Sequence, residues 1–94
     1  MSKLNTVASA MRARAHSQPN RFVKHRLGRG LVLAVLYKDS HYYVTISRRH
    51  QPPSAHEAAA IKRAFGVPEP VGWSAFRQGR HHLWRISWPN GAAA

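Results

Sequence analysis

The chain contains no cysteine, which removes disulfides, thiolate metal sites, iron–sulfur clusters and cysteine nucleophiles at once. Acids are nearly as scarce: Asp39, Glu57 and Glu69 are all there are. General acid–base catalysis and two-metal nuclease chemistry therefore lack their usual carboxylates. Long apolar runs are missing too. The longest, Leu31 to Tyr37, is seven residues, against the roughly 20 that a helix needs to cross a bilayer. A membrane-spanning helix is excluded, and a soluble chain of the cytoplasm is the expectation. No internal repeat and no low-complexity tract occurs. With 94 residues, the chain suits one hydrophobic core and one domain.

Positive charge, by contrast, is abundant. Fifteen lysines and arginines face three acids, for a formal net charge of +12 before any of the seven histidines is protonated. Such an imbalance points to a polyanionic partner, a property shared by ribosomal subunits, nucleoid proteins, membrane-surface proteins and capsid components.

Leu4, Val7, Ala8, Met11 and Ala15 follow helical spacing, so the N-terminal segment is expected to be a helix capped by Ser2 or Asn5. Gln18-Pro19-Asn20 breaks it. Arg21 to Gly30 reads as a basic connector, either a solvated loop or an arm that contacts phosphates, and it holds Arg21, Lys24, Arg26 and Arg29. The acid-free composition of residues 1–22 is compatible with a presequence as well as with such an arm. Leu31 to Tyr37 reads as a central strand buried on both faces. A tight turn at Asp39-Ser40 joins it to an amphipathic strand, His41 to Arg49, with Tyr42, Val44 and Ile46 on one face.

Ser54 with Glu57 three residues later is a capping box, which predicts a helix from Ala55 that ends at Gly66. Glu57 is thereby assigned to structure and not to catalysis. Val71 to Arg77 and His81 to Trp88 then predict a second hairpin around Gln78-Gly79-Arg80, with Trp84, Ile86 and Trp88 on one face. The expected fold class is α+β: an N-terminal helix, a small antiparallel sheet of two hairpins, and one capped helix packed on it. The segments are a basic helix and connector (1–30), a compact α+β unit (31–88) and a tail (89–94). An exposed strand edge or the N-terminal helix offers a surface for a homodimer.

The histidines, at 16, 25, 41, 50, 56, 81 and 82, do not show metal-site spacing. Neighbouring His81 and His82 point to opposite faces of a strand, and no H-x-x-x-H pair exists, so no metal or other cofactor is expected. Ser47, His50 and Asp39 could be lined up as a triad, but no G-x-S-x-G elbow marks the serine. Gly28-Arg29-Gly30 precedes a strand and does not link a strand to a helix, so it does not read as a phosphate loop. The chain is not expected to be an enzyme. What remains is a basic and aromatic constellation: Arg48, Arg49, His50, Arg77, Arg80, His81 and Arg85, interleaved with Tyr43, Trp73, Phe76 and Trp84. Arg12, Arg14, Arg21, Lys24 and Arg26 add a second group in the N-terminal arm. Guanidinium groups at strand ends suit phosphates, and neighbouring rings suit stacked bases. Arg48 and Arg49 are expected on exposed backbone at a strand end.

Ile46-Ser47-Arg48, the Pro53 to Glu57 helix start, Ile61-Lys62-Arg63 and His82-Leu83-Trp84 together resemble a family of small uncharacterised phage and prophage proteins, over about residues 42–86. The resemblance implies a phage or mobile-element protein working in the cytoplasm of a bacterial host, with nucleic acid or a host ribonucleoprotein as partner. An alternative it implies is an anti-defence, anti-CRISPR-like inhibitor that binds a host defence complex by protein contacts. It transfers no catalytic residue.

Overall fold

The computed structural model describes residues 3–91. Ser2 and residues 92–94 of the expected tail lie outside the described residues. The elements are α1 (Lys3–Ser17), β1 (Val23–Arg26), β2 (Val32–Lys38), β3 (His41–Arg49), α2 (Ala55–Phe65), β4 (Ser74–Gln78) and β5 (His81–Pro89). All strand pairings are antiparallel, in the order β1-β2-β3-β5-β4. This is the expected α+β class, with both helices on one side of a five-stranded sheet. None of the described helices is long and apolar enough to cross a membrane.

Local chemistry accounts for most elements. In α1 the predicted stripe is the buried one: Ala8, Met11 and Ala15 are buried, with Leu4 and Val7 packed against the core. The capping box of α2 is complete, since the Ser54 hydroxyl accepts from the Glu57 amide at 3.1 Å and the Ser54 amide donates to the Glu57 carboxylate at 2.8 Å. The helix ends at Gly66, whose φ of 67° lies in the left-handed region that glycine adopts without steric cost. There the Gly66 amide donates to the Arg63 carbonyl and the Val67 amide to the Lys62 carbonyl, a Schellman pair that satisfies two end carbonyls. Between β2 and β3, Asp39 (φ 52°) and Ser40 (φ 62°) both take positive φ, as a two-residue type I′ turn requires.

Side chains alternate across the strands and so sort into two faces. Val23, Leu33, Val35, Tyr42, Val44, Ile46, Ile86 and Trp88 point towards the helices and form one core with Ala8, Met11, Ala58, Ile61 and Phe65. Tyr42 stacks on Trp88 at 5.5 Å between ring centroids. The two predicted faces, Tyr42, Val44 and Ile46 on β3 and Trp84, Ile86 and Trp88 on β5, lie on the same side of the sheet, although Trp84 is only half-buried.

Four expectations need correction. The basic connector contains β1, a strand paired with β2 from Val23↔Val35 to Arg26↔Val32. Its single buried residue, Val23, packs into the common core, so residues 3–26 belong to the same compact unit as the rest. The middle strand is β3 and not β2. β2 buries Leu33 and Val35 on one face alone, while Val32, Ala34 and Leu36 on the other are half-exposed. The fourth strand begins at Ser74, because Trp73 turns under α2, where its Nε1 donates to the Ala58 carbonyl at 3.2 Å and its ring lies 6.4 Å from that of Trp84. The start of the expected tail is also built in: Pro89 pairs with His41, and the Asn90 amide donates to the Ser40 carbonyl at 2.7 Å.

Candidate nucleic-acid interface

Both helices cover the same side of the sheet, so the opposite side faces solvent. Register places its residues in rows that cross all five strands. One row is Lys24, Ala34, Thr45, Arg85 and Ser74. The next is Arg26, Val32, Ser47, Leu83 and Phe76. Arg49 and His81 pair beyond the second row, and Tyr43 and Ser87 pair beyond the first. Small side chains in the middle, Ala34, Thr45 and Ser47, leave a groove of about 290 Å³. One wall carries Phe22 and Lys24, and the other carries Leu83 and Arg85.

Two observations set this face apart. The large hydrophobics that remain exposed among the described residues are Phe22, at 52%, and Phe76, at 40%, and both belong to it. Its cations also have no acid to pair with. Of the three carboxylates, Glu57 pairs with Arg48 and Glu69 with Lys62, both on the helix side, and Asp39 sits in the β2–β3 turn. Among the described residues, Lys24, Arg26, Arg49 and Arg85 thus carry charge with no internal partner of opposite sign. Arg85 is nevertheless held in place: its Nε donates to Thr45 Oγ1 at 3.3 Å and its guanidinium lies 5.5 Å from the centre of the Phe76 ring. This arrangement orients the side chain while the residue as a whole remains exposed.

The predicted site residues divide accordingly. Lys24, Arg26, Arg49, His81 and Arg85 share the open face. His50 and Arg80 meet at its end, where the His50 amide donates to the Arg80 carbonyl at 3.2 Å. Arg21 is exposed just before β1, Arg14 is exposed on α1, and Arg77 is exposed on the helix-facing side of β4.

Arg48 does not belong to this group. Far from lying exposed at a strand end, it is 5% exposed, because the alternation that buries Tyr42, Val44 and Ile46 also turns Arg48 towards the helices. Its Nη1 donates to Glu57 Oε1 at 2.9 Å, its Nη2 donates to Oε2, and its Nε donates to the Arg29 carbonyl at 3.1 Å. One side chain thereby ties β3 to the first turn of α2 and to the loop between β1 and β2. The Arg48 hydrogen bonds come first, and the Ser54 amide second, in holding the Glu57 carboxyl at about 2, below its ordinary 4.5. The Arg48 pKa is raised in turn, first by its hydrogen bond to Glu57.

Arg12 is likewise structural. Its Nη1 donates to the Phe65 carbonyl at 3.0 Å, and its guanidinium lies 4.9 Å from the Tyr42 ring centre and 5.9 Å from that of Trp88. It completes the C-terminal end of α2 from across the helix pair. Phe22 is the member of the open face that sequence reasoning misses. A lone aromatic inside an acid-free basic stretch is the available signal. No group of three or more potential metal ligands occurs among the described residues. No protein-family model, no curated protein and no solved structure matches the chain.

Proposed function

We propose that this protein binds nucleic acid through the open face of its sheet. The observation that carries the reading is the coincidence on one face of unpaired cations and exposed rings, with both ion-paired acids on the other side. Phosphates satisfy such cations and bases cover such rings, which no single small anion does. The resemblance to small phage and prophage proteins supplies the setting, the cytoplasm of a bacterial host, in which free nucleic acid or a ribonucleoprotein is the expected partner.

Fluorescence anisotropy with labelled RNA and DNA at two or more salt concentrations tests the proposal. Lys24→Glu and Arg49→Glu change exposed, unpaired residues, so both variants keep a native circular dichroism spectrum. Removing one cation from a phosphate lowers the magnitude of the log K against log salt slope by roughly 0.7–0.9. Arg63→Glu, on exposed α2 surface, changes the net charge equally and leaves that slope nearly intact. If no naked nucleic acid binds at low salt while an intact host complex is still captured, the reading fails and the anti-defence inhibitor takes its place.

A further inference from the structure

We propose that the ligand of the open face is an unpaired strand, RNA or DNA, whose bases stack on Phe22 and Phe76 while its phosphates follow the flanking cations. This rests on the reading of that face as a nucleic-acid site and narrows it to single strands. Shape is the first argument. Five strands at about 4.8 Å spacing make a face roughly 19 Å across, counted between the outer strand axes. The major groove of B-form DNA is about 12 Å wide and admits a helix or a two-stranded ribbon. A five-stranded face therefore cannot enter it, and the rings would reach the bases of a duplex only by prying a step open from the minor groove. The major groove of duplex RNA is narrower still and closed to side chains. An unpaired strand has no such barrier, because its bases can splay onto a platform.

The placement of the rings is the second argument. Phe22 stands beside β1 and Phe76 on β4, at opposite margins of the sheet, with the small-residue groove between them. Each has cations at hand: Lys24 is two residues from Phe22, and the Arg85 guanidinium lies over Phe76 itself. With the guanidinium over it and 40% of the residue still exposed, Phe76 offers one base the part of its ring that remains open and the adjoining phosphate a hydrogen-bond donor. The floor of Ala34, Thr45 and Ser47 carries hydroxyls but no bulky side chain, leaving room for a chain of nucleotides to cross between the two margins. A duplex offers such rings a place only where a base step is unstacked, at a cost of a few kcal/mol, whereas an unpaired strand offers its base faces without that cost.

The test compares single-stranded RNA, single-stranded DNA of the same sequence, and the corresponding duplexes, by anisotropy with the full chain. Either single strand is expected to bind at least tenfold more tightly than its duplex at matched salt. Phe22→Ala and Phe76→Ala remove rings that are 52% and 40% exposed; in variants whose circular dichroism stays native, each weakens single-strand binding by roughly 5- to 150-fold without changing the salt slope. Phe76→Trp restores affinity, since any flat ring serves. Equal or tighter duplex binding, or unchanged single-strand affinity in the double alanine variant, would overturn the inference. If Arg49→Glu still lowers the salt slope in that case, the face binds polyanions by charge alone and the broader reading survives. Failure of every nucleic acid to bind at low salt defeats both.

Discussion

Replacing Glu57 by glutamine changes one charge at the junction of β3, α2 and the β1–β2 loop, and its effect should depend on pH in a defined way. In the folded chain the Glu57 carboxyl titrates at about 2 instead of 4.5, chiefly because Arg48 donates to both of its oxygens. A group whose folded pKa is depressed adds stability above its unfolded pKa and loses it as pH falls through the folded value. At about 1.4 kcal/mol per pH unit, the interval corresponds to about 3.4 kcal/mol. The Glu57 side chain is 25% exposed, however, so water screens part of this, and about 2–3 kcal/mol is the expected contribution at pH 7. Glutamine keeps an acceptor for the Ser54 amide and removes the charge that Arg48 needs. Urea denaturation should therefore place Glu57→Gln about 2–3 kcal/mol below wild type at pH 7. Between pH 5 and pH 3 that gap should close by about 1–1.5 kcal/mol, because the unfolded wild-type chain takes up a proton at Glu57 while the folded chain still holds the carboxylate ionised. Histidine protonation and rising net charge affect both proteins and cancel in the difference. A gap that is absent at pH 7, or that stays constant from pH 7 to pH 3, would refute the assignment of Arg48 and Glu57 as a structural pair.

Other outcomes follow from the same geometry. Arg48→Met should cost about 2–4 kcal/mol by stranding Glu57 and the Arg29 carbonyl, and once allowance is made for the unfolded fraction it should leave the salt slope of nucleic-acid binding unchanged. Trp88→Ala empties a site where the ring is 2% exposed and stacked on Tyr42, so differential scanning calorimetry should register a loss of about 3–5 kcal/mol, enough to leave so small a domain largely unfolded. Ser54→Ala should lower the denaturation midpoint by an amount equivalent to about 1 kcal/mol through loss of the cap. Gly66→Ala should cost about 1 kcal/mol as well, and for a different reason: the nearest atom to the added methyl, Arg12 Nη1, is a comfortable 3.6 Å away, so the loss comes from φ alone.

What the sequence discloses is the part of the fold written over short distances. The capping box, the Gly66 stop and the Asp39-Ser40 turn each lie within a few residues, and all three appear where the pattern places them. β1 escapes because Val23-Lys24-His25-Arg26 has a single apolar residue. Its strand character comes from pairing with β2 and from α1 lying over Val23, neither of which is local. Arg48 misleads for an instructive reason. Period-two alternation with Tyr42, Val44 and Ile46 already points it at the core, but its charge argues for solvent, and the deciding fact, an acid nine residues later brought back by the β3–α2 turn, is tertiary. The open face is half-legible: Arg49, His81 and Arg85 can be named from their strands, yet strand order alone sets Lys24, Arg26 and Phe22 beside them. The register with β5, which pairs Arg77 with His82, sends Arg77 to the other side.

The sheet has two free edges, β1 and β4, and neither is long. β1 holds four residues, two of them Lys24 and Arg26, while β4 holds five that are all exposed, with Arg77 among them. Unpaired strand edges invite other chains to add on, and positive charge along both edges keeps copies of this molecule apart by mutual repulsion. That guard is conditional, because it consists of charge and not of a covering element. Concentrated salt, or any polyanion bound alongside, would lift it, and the Ser74–Gln78 edge with its exposed Phe76 is where a second copy is then expected to add. A chain so strongly charged should thus remain dispersed on its own and gather when its charge is neutralised, a reversal that light scattering across a salt series would register.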